Sequence, residues 1–168
     1  MPNSTSFSAP WSQALWLSTG IALTILVAVA IACYFGGRLS GKKTYIFGVL
    51  ISVGVLLYGV AGAILGYSID GNQIIVRKLL SNVSIPIEHG TSTKQQPGAL
   101  NGAIRVIGVG GFFRYSGTYF CHGLGNCQVF TTSYDNLVVI STNGTNYILS
   151  PSEPNKFVNL VNANAALK

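Results

Sequence analysis

Charge is scarce in this sequence. Only 8% of the 168 residues are charged, and Asp and Glu together number four. These acids are widely separated, at Asp70, Glu88, Asp135 and Glu153. Acid–base catalysis needs a positioned carboxylate or another base beside the reacting group, and no nucleophile–base or carboxylate pair is present. The sequence therefore offers no catalytic residues of its own.

Sulfur and imidazole are also scarce, with three Cys, two His and one Met. Cys121 and Cys127 bracket a short glycine-containing loop. An extracytoplasmic location would allow them to form a disulfide, and free thiols are the alternative. A metal site made from these thiols with His122 and the distant His89 is the weaker alternative, because structural zinc sites usually show two close pairs of ligands. We expect this chain to bind no metal or other cofactor.

The sequence does contain two long apolar runs, residues 11–35 and 45–67, and neither carries a charged residue. Spanning the hydrocarbon of a bilayer takes roughly 20 apolar residues. Two core helices of a soluble protein are the alternative, but a chain of this length could hardly bury both on all sides. The sequence therefore predicts a transmembrane helical hairpin over residues 11–67 that contacts the lipid bilayer.

The connecting loop, residues 36–44, contains three cations and no anion: Arg38, Lys42 and Lys43. Cations near the ends of membrane spans mark the cytoplasmic side. This predicts a multi-pass protein of the cell membrane with both termini extracytoplasmic, including an external tail at residues 1–10. The other cations are scattered, which argues against a nucleic-acid partner. Three glycosylation sequons lie on the predicted outer side, at Asn3, Asn82 and Asn143.

The second apolar run is rich in glycine. Small residues let helix backbones approach closely in lipid, where packing drives association. We expect these glycines to pack against the first helix and against another integral membrane subunit; the alternative is that glycine is simply common in membrane helices. The predicted helix-packing residues are Gly48, Gly54, Gly59, Gly62 and Gly66.

After residue 67 the pattern becomes that of short strands. We expect strands at residues 73–80, 81–87, 105–109, 115–120, 127–132, 137–142 and 146–149, and a loop at residues 91–102. Asn143 and Gly144 are typical of a tight hairpin turn. Ser150 and Pro151 predict the start of a closing amphipathic helix. Residues 68–168 are therefore expected to form one extracytoplasmic β domain.

Several segments resemble the bacterial and archaeal PH-like domain family. They are residues 105–112 (RVIGVGGF), 117–119 (GTY), 129–132 (VFTT) and 150–154 (SPSEP), with Phe157 following. In that family a glycine-rich strand pair precedes a strand ending in Thr, and a Ser-Pro step begins the closing helix. The resemblance covers about residues 73–161. It implies a small β-barrel of six or seven antiparallel strands with a C-terminal helix, and it implies no catalytic residue or ligand.

The architecture is also similar to subunit II of haem–copper terminal oxidases, where an external β domain follows a helical hairpin. The copper site of that subunit uses two thiolates separated by three residues, with His and Met close by. Five residues separate Cys121 from Cys127, no His follows Cys127, and the only methionine is Met1. Quinol-oxidising members also lack the site, so the resemblance implies a copper-free subunit, with haem and copper in a partner. The outer domain is usually a cupredoxin, which conflicts with the PH-like segments.

Two arginines of the β domain, Arg105 and Arg114, are candidates for binding an anionic headgroup or a partner's carboxylate; solvated surface arginines are the alternative. Together these features predict a non-catalytic, membrane-anchored subunit of a larger membrane complex. Its most specific form is a subunit II-like component of a respiratory quinol oxidase, which acts in electron transport. The alternative is a stand-alone membrane-anchored PH-like module that binds or senses a ligand.

Overall fold

The computed structural model describes residues 5–40 and 45–166, with the side chains of residues 38–40 left aside. Two helices and a two-sheet β domain with a third helix make up this part of the chain. The elements in chain order are β1 (Thr5–Ser8), α1 (Gln13–Ser40), α2 (Tyr45–Ala61), β2 (Ile64–Asp70), β3 (Gln73–Lys78), β4 (Val83–Pro86), β5 (Ser92–Gln95), β6 (Ile104–Gly110), β7 (Tyr115–Cys121), β8 (Gly125–Thr131), β9 (Val138–Thr142), β10 (Thr145–Leu149) and α3 (Pro154–Ala166).

Helix α1 is long and apolar enough to cross a membrane. Its segment Gln13–Gly37 has 25 residues and a mean hydropathy of 2.3, and only 11% of its most apolar window is buried. Helix α2 packs against α1 and is also apolar, but it has only 17 residues. At about 1.5 Å per residue it is roughly 25 Å long, at the lower limit for a membrane span.

The expected extent of the second helix, to residue 67, is wrong. Helix α2 ends at Ala61, and β2 begins at Ile64. Ile64 and Tyr67 are fully or almost fully buried in the β domain. A short apolar run has the same composition whether it lies in lipid or in the core of a sheet. The burial of these two side chains shows that the run is a strand of the β domain.

The β domain contains two sheets. One has the strand order β1-β2-β3-β4, and the other has the order β5-β9-β10-β8-β7-β6. Strands β8 and β10 are parallel, whereas the other paired strands are antiparallel. The expected barrel of six or seven antiparallel strands is therefore replaced by ten strands in a sandwich-like pair of sheets. The seven expected strands are all present, and the C-terminal helix is confirmed.

Two of the additional strands come from segments without a strong strand pattern. Residues 5–8, expected as an external tail, form β1, and β5 lies within the expected loop at residues 91–102. Phe7 of β1 is 4% exposed, and its ring lies 5.1 Å from that of Phe157. Strand β1 pairs with β2, from Thr5 opposite Ile69 to Ser8 opposite Gly66. The helical hairpin is therefore inserted between two neighbouring strands of one sheet.

Both faces of the larger sheet are covered. Val138, Ile140 and Leu149 pack with the smaller sheet and α3 in one core. Val139 and Ile148 point the other way, into a second core under Ala99 and Leu100. Alternate residues of β9 thus serve different cores, as the two-residue period of a strand requires. The segment around Ala99 and Leu100 covers the face of the sheet that is turned away from α3.

Helix α3 begins at Pro154 rather than at Pro151. Pro154 takes the first helical position, where a missing N–H costs nothing, and the carbonyl of Glu153 accepts the Phe157 N–H at 3.0 Å. The expected cap, Ser150, is buried and bonds elsewhere in the domain. Phe157 and Val161 are buried, whereas Leu160 is only half-buried.

Candidate functional site: the junction of the hairpin and the β domain

The helical hairpin joins the β domain at a surface that we call the junction. It consists of residues 110–114, between β6 and β7, together with the first turns of α1 and the last turn of α2. The hydroxyl of Thr19 accepts the N–H of Phe113 at 3.1 Å and donates to the carbonyl of Gly111 at 3.4 Å. The Phe112 ring fills the space that a side chain at Gly59 would need. The turn is therefore held by both helices.

Arg114 is the charged residue of the junction, and it is only 6% exposed. One guanidinium nitrogen donates to the carbonyl of Gly59 at 3.2 Å, and Nε donates to the Ser116 hydroxyl at 2.8 Å. The guanidinium also lies 5.3 Å from the ring centroid of Tyr58. Because helix carbonyls near a C-terminus lack backbone partners and carry partial negative charge, Arg114 stabilises the end of α2.

An aromatic cluster surrounds the start of α1. The Trp11 ring lies 4.7 Å from that of Trp16 and 5.9 Å from that of Phe113, which in turn contacts Phe112 at 4.8 Å. Trp16 remains 65% exposed. Aromatic side chains of this kind are enriched at the boundary between a bilayer and water. The cluster therefore has the kind of side chains that a boundary between bilayer and water favours.

A buried polar network continues from the junction into the β domain. The Thr132 hydroxyl donates to the carbonyl of Pro10 at 2.9 Å, and the Thr132 N–H donates to the Ser150 hydroxyl at 3.0 Å. Tyr67 donates its hydroxyl proton to the carbonyl of Phe130 at 2.8 Å. Burial raises the pKa of Tyr67 to about 12. This network links the segment before α1 to both sheets.

The predicted helix-packing glycines serve different purposes. Gly48 does pack helix on helix, because a Cβ there would lie 2.6 Å from a sulfur of α1. Gly59 and Gly62 instead make room for the β6–β7 turn, and Gly54 faces open space. Gly66 is not in a helix. It lies in β2, where a Cβ would come 2.6 Å from a carbonyl oxygen of β1.

The two arginines singled out from the sequence lie in different environments. Arg114 is used within the protein, at the junction. Arg105 is exposed on β6 and forms a hydrogen bond with Tyr119. Burial raises the pKa of Tyr119, and the charge of Arg105 opposes that rise. Of the two, Arg105 is the exposed one, and its binding of an anion stays a prediction.

Cys121 and Cys127 are fully buried in the second core, at the end of the β7–β8 hairpin. Both are free thiols that contact each other. Burial and the neighbouring thiol raise the pKa of Cys127 to about 12, and burial raises that of Cys121. The disulfide stays a prediction.

The other candidates are not gathered. His122 is exposed beside Phe120, whereas His89 lines an open cleft of about 480 Å³ between β5 and α3. In that cleft Asn162 bonds the N–H and the carbonyl of Thr93 at 3.2 and 3.1 Å. Across residues 5–40 and 45–166, no group of three His, Cys, Asp or Glu residues could hold a metal.

The side chains of the three cations predicted to set the topology, Arg38, Lys42 and Lys43, are not among those that the structure describes. Lys42 and Lys43 lie outside the described residues, and only the backbone of Arg38, in α1, is described. The cytoplasmic assignment of residues 36–44 therefore stays a prediction.

Sequence reasoning missed the role of the junction. The signal available was the pair Phe112 and Phe113 beside Gly110 and Gly111. Two aromatic residues in a glycine-containing turn between strands need a cover, and here the helices provide it. Nothing local in the sequence indicates that Arg114 would be buried beneath them.

The fold after α2 is that of a PH-like β domain closed by a C-terminal helix. A family model described as Bacterial PH domain matches residues 65–165. The chain therefore belongs to the Bacterial PH domain family. Comparison with curated proteins and with solved structures gives no match.

Proposed function

We propose that this chain is a membrane-anchored, non-catalytic subunit of a larger membrane complex. In this proposal the hairpin spans the bilayer twice, residues 36–44 are cytoplasmic, and the PH-like domain stands on the extracytoplasmic side. The domain would then present a protein-binding surface at a fixed height above the membrane.

The pairing of β1 with β2 supports two spans. Strand β1 precedes α1 and β2 follows α2, yet they are hydrogen-bonded neighbours. A chain that crossed the bilayer only once would leave them on opposite sides. If α1 spans the membrane, as its length and composition allow, α2 must return the chain across it.

The positions of aromatic residues agree with this placement. Trp16 and Tyr34 are 18 positions apart in α1. This spacing is about 27 Å along the helix axis, which is close to the thickness of the hydrocarbon layer of a bilayer. At the end opposite the junction, the rings of Tyr34 and Tyr45 lie 6.0 Å apart. Between these levels the large apolar side chains of α1 and α2 are widely exposed, as lipid-facing residues are.

The observation that carries the subunit proposal is the attachment of the hairpin at two points. The hairpin is inserted within a sheet of the β domain, and Arg114 fastens the end of α2. A stand-alone module that searches for ligands would gain from a flexible tether. A domain fixed to its anchor instead suits a subunit whose neighbours are also fixed in the membrane.

An apolar edge strand is the surface that we assign to the partner. Strand β6 is at the edge of its sheet, and Ile104, Val106 and Ile107 are 63%, 61% and 72% exposed. Exposed apolar edges are ready to pair with another chain, and proteins usually protect them. A neighbouring subunit would provide that protection.

The most specific form of the proposal is a subunit II-like component of a respiratory quinol oxidase. It rests on the likeness of architecture: a helical hairpin followed by an outer β domain. Any haem or copper would lie in the partner subunit. The PH-like fold differs from the usual cupredoxin, so this form needs the partner to be identified directly.

The test is to isolate the chain from native membranes in mild detergent and to record mass spectra of co-purifying proteins and a visible absorption spectrum. Stoichiometric integral membrane partners support a complex, and haem bands among them support the oxidase. The double variant Ile104→Lys, Ile107→Lys should lose those partners while remaining in the membrane. Asn159→Lys, on an exposed position of α3, is the matched control. A chain that purifies alone would support the stand-alone binding module instead.

A further inference from the structure

Two leucines protrude from the β domain beside the end of α2. Leu79 and Leu80 follow β3 and are 50% and 79% exposed. Their backbone positions are fixed by the helix end, because the N–H of Leu80 donates to the carbonyl of Ala61 and that of Leu79 to the carbonyl of Ala63, each at 3.2 Å. The bond to Ala61 also provides a partner for a carbonyl at the end of α2 that would otherwise lack one.

A third leucine lies at the same end of the sheet. Leu65, at the start of β2, is 55% exposed, and its neighbour Ile64 pairs with Lys78. On α2 itself, Leu57 and Tyr58 are 63% and 62% exposed. The apolar surface of the hairpin therefore continues past the end of α2 onto the β domain, next to Lys78, which is half-buried.

The length of α2 explains why lipid is the occupant of this surface. At roughly 25 Å the helix is shorter than a hydrocarbon layer of about 30 Å. A short span is accommodated by thinning the bilayer or by drawing flanking residues into its boundary. The residues so drawn would be those attached to the helix end, namely Leu65, Leu79 and Leu80.

The charge next to these leucines fits a headgroup. Arg77 is exposed and comes two residues before Leu79. An arginine beside apolar side chains at a membrane boundary places its guanidinium among lipid phosphates, which it binds with several parallel N–H donors.

We propose that Leu65, Leu79 and Leu80 insert into the boundary of the outer leaflet, with Arg77 facing lipid phosphate. This surface is a second membrane contact of the β domain, and it rests on the proposed membrane placement of the hairpin. It lays the end of the β2–β3 pair on the bilayer, so the domain is held by lipid as well as by the junction.

Spin labels at three positions test the proposal in nanodiscs. The background is the full chain with Cys33→Ala, in which the remaining native thiols are fully buried. Labels are placed through Leu80→Cys, through Val27→Cys in the middle of α1, and through Ile104→Cys at the end of β6 away from the junction. Val27 and Ile104 are 56% and 63% exposed, so all three labels start from exposed apolar positions. Power saturation compares collisions with oxygen and with a water-soluble nickel chelate.

We expect oxygen collisions to dominate at positions 27 and 80, and nickel collisions to dominate at position 104. A label at position 80 that behaves like the one at position 104 overturns the second contact and leaves the membrane placement intact. A label at position 27 that lies in water overturns the membrane placement itself. The two failures are therefore distinct.

Lipid composition tests the role of the cation. Replacing part of the phosphatidylcholine by phosphatidylglycerol should move the label at position 80 deeper, and Arg77→Gln should abolish that response. The same response in both proteins would overturn the assignment of Arg77. A glycan on the Asn82 sequon would overturn the insertion, because Asn82 lies two residues from Leu80 and a glycan cannot enter the boundary.

Discussion

Removing the guanidinium of Arg114 should loosen the junction. Arg114→Met keeps the length of the side chain but removes the hydrogen bonds to the Gly59 carbonyl and the Ser116 hydroxyl. A hydrogen bond to a charged group contributes about 1.5–3 kcal/mol, so the two bonds together would contribute about 3–6 kcal/mol. Part of that is offset by the cost of burying the charge. We therefore expect the free energy of unfolding to fall by about 3 kcal/mol.

Thermal unfolding in detergent or nanodiscs, followed by circular dichroism, measures this loss. For a chain of this size a change of about 3 kcal/mol corresponds to about 6–12 °C in the unfolding midpoint. The matched control is Arg105→Met, which removes an exposed arginine from β6 and should change stability by about 0.5 kcal/mol or less. Equal midpoints for the two variants would refute the assignment of Arg114 as the residue that fastens α2.

A second substitution tests the same contact through coupling. A Cβ added at Gly62 would overlap the Arg114 guanidinium. The far end of that side chain can move, so Gly62→Ala should displace the guanidinium from the Gly59 carbonyl. Gly62→Ala should therefore destabilise the native chain but cost little in the Arg114→Met background. Additive losses would contradict a direct contact, since only interacting residues couple.

Three other tests address separate parts of the fold. In protein isolated without reductant, we expect a disulfide between Cys121 and Cys127, so that maleimide labels neither thiol after denaturation. Closing that short loop should add about 2 kcal/mol to the free energy of unfolding. Labelling of both thiols would contradict the disulfide. Burial raises the pKa of Tyr67 to about 12. The stability that this shift contributes, about 2–3 kcal/mol, is therefore fully present below about pH 10 and is lost as the pH rises to 12. Tyr67→Phe should reduce the alkaline loss of stability measured by circular dichroism, and an unchanged pH dependence would show that Tyr67 is not its cause. Gly48→Leu should overpack the helix pair, which costs about 1–3 kcal/mol and lowers the midpoint of thermal unfolding. The control Gly54→Leu places its side chain in open space and should not lower the midpoint. Equal midpoints would argue against the close packing of α1 on α2 at Gly48.

Composition was sufficient to predict the helices and most strands. The apolar runs placed α1 and the start of α2, and the Asn143–Gly144 turn placed β9 and β10. Asn143 and Gly144 have φ values of 49° and 69°, as a two-residue hairpin turn with both residues left-handed requires. Local signals of this kind are strong because they depend only on the residues that form them.

The failures have a common physical cause, which is that distant partners decide the outcome. Residues 64–67 are apolar enough for a helix, and β1 at residues 5–8 is polar enough for a tail. Strand β1 forms because β2 is present to pair with it, and β2 in turn lies between β1 and β3. Ser150 likewise could cap a helix, but its hydroxyl forms hydrogen bonds with the Tyr67 hydroxyl and the Thr132 N–H instead. Pairing across such sequence distances leaves no local trace.

The insertion of the hairpin between β1 and β2 makes the sheet depend on the pairing of α1 with α2. Closing a loop of about 60 unstructured residues to bring Ser8 beside Gly66 would cost roughly 3–4 kcal/mol, and a four-residue edge strand offers few contacts to offset it. Once α1 and α2 are paired antiparallel, their ends lie about 8–10 Å apart, and the two strands start as neighbours. Pairing of α1 with α2 thus lowers the entropic cost of pairing β1 with β2. The same closure places Gly59 and Gly62 against the β6–β7 turn. The β domain is therefore completed by the pairing of the two helices, and the hairpin and the β domain form one structural unit.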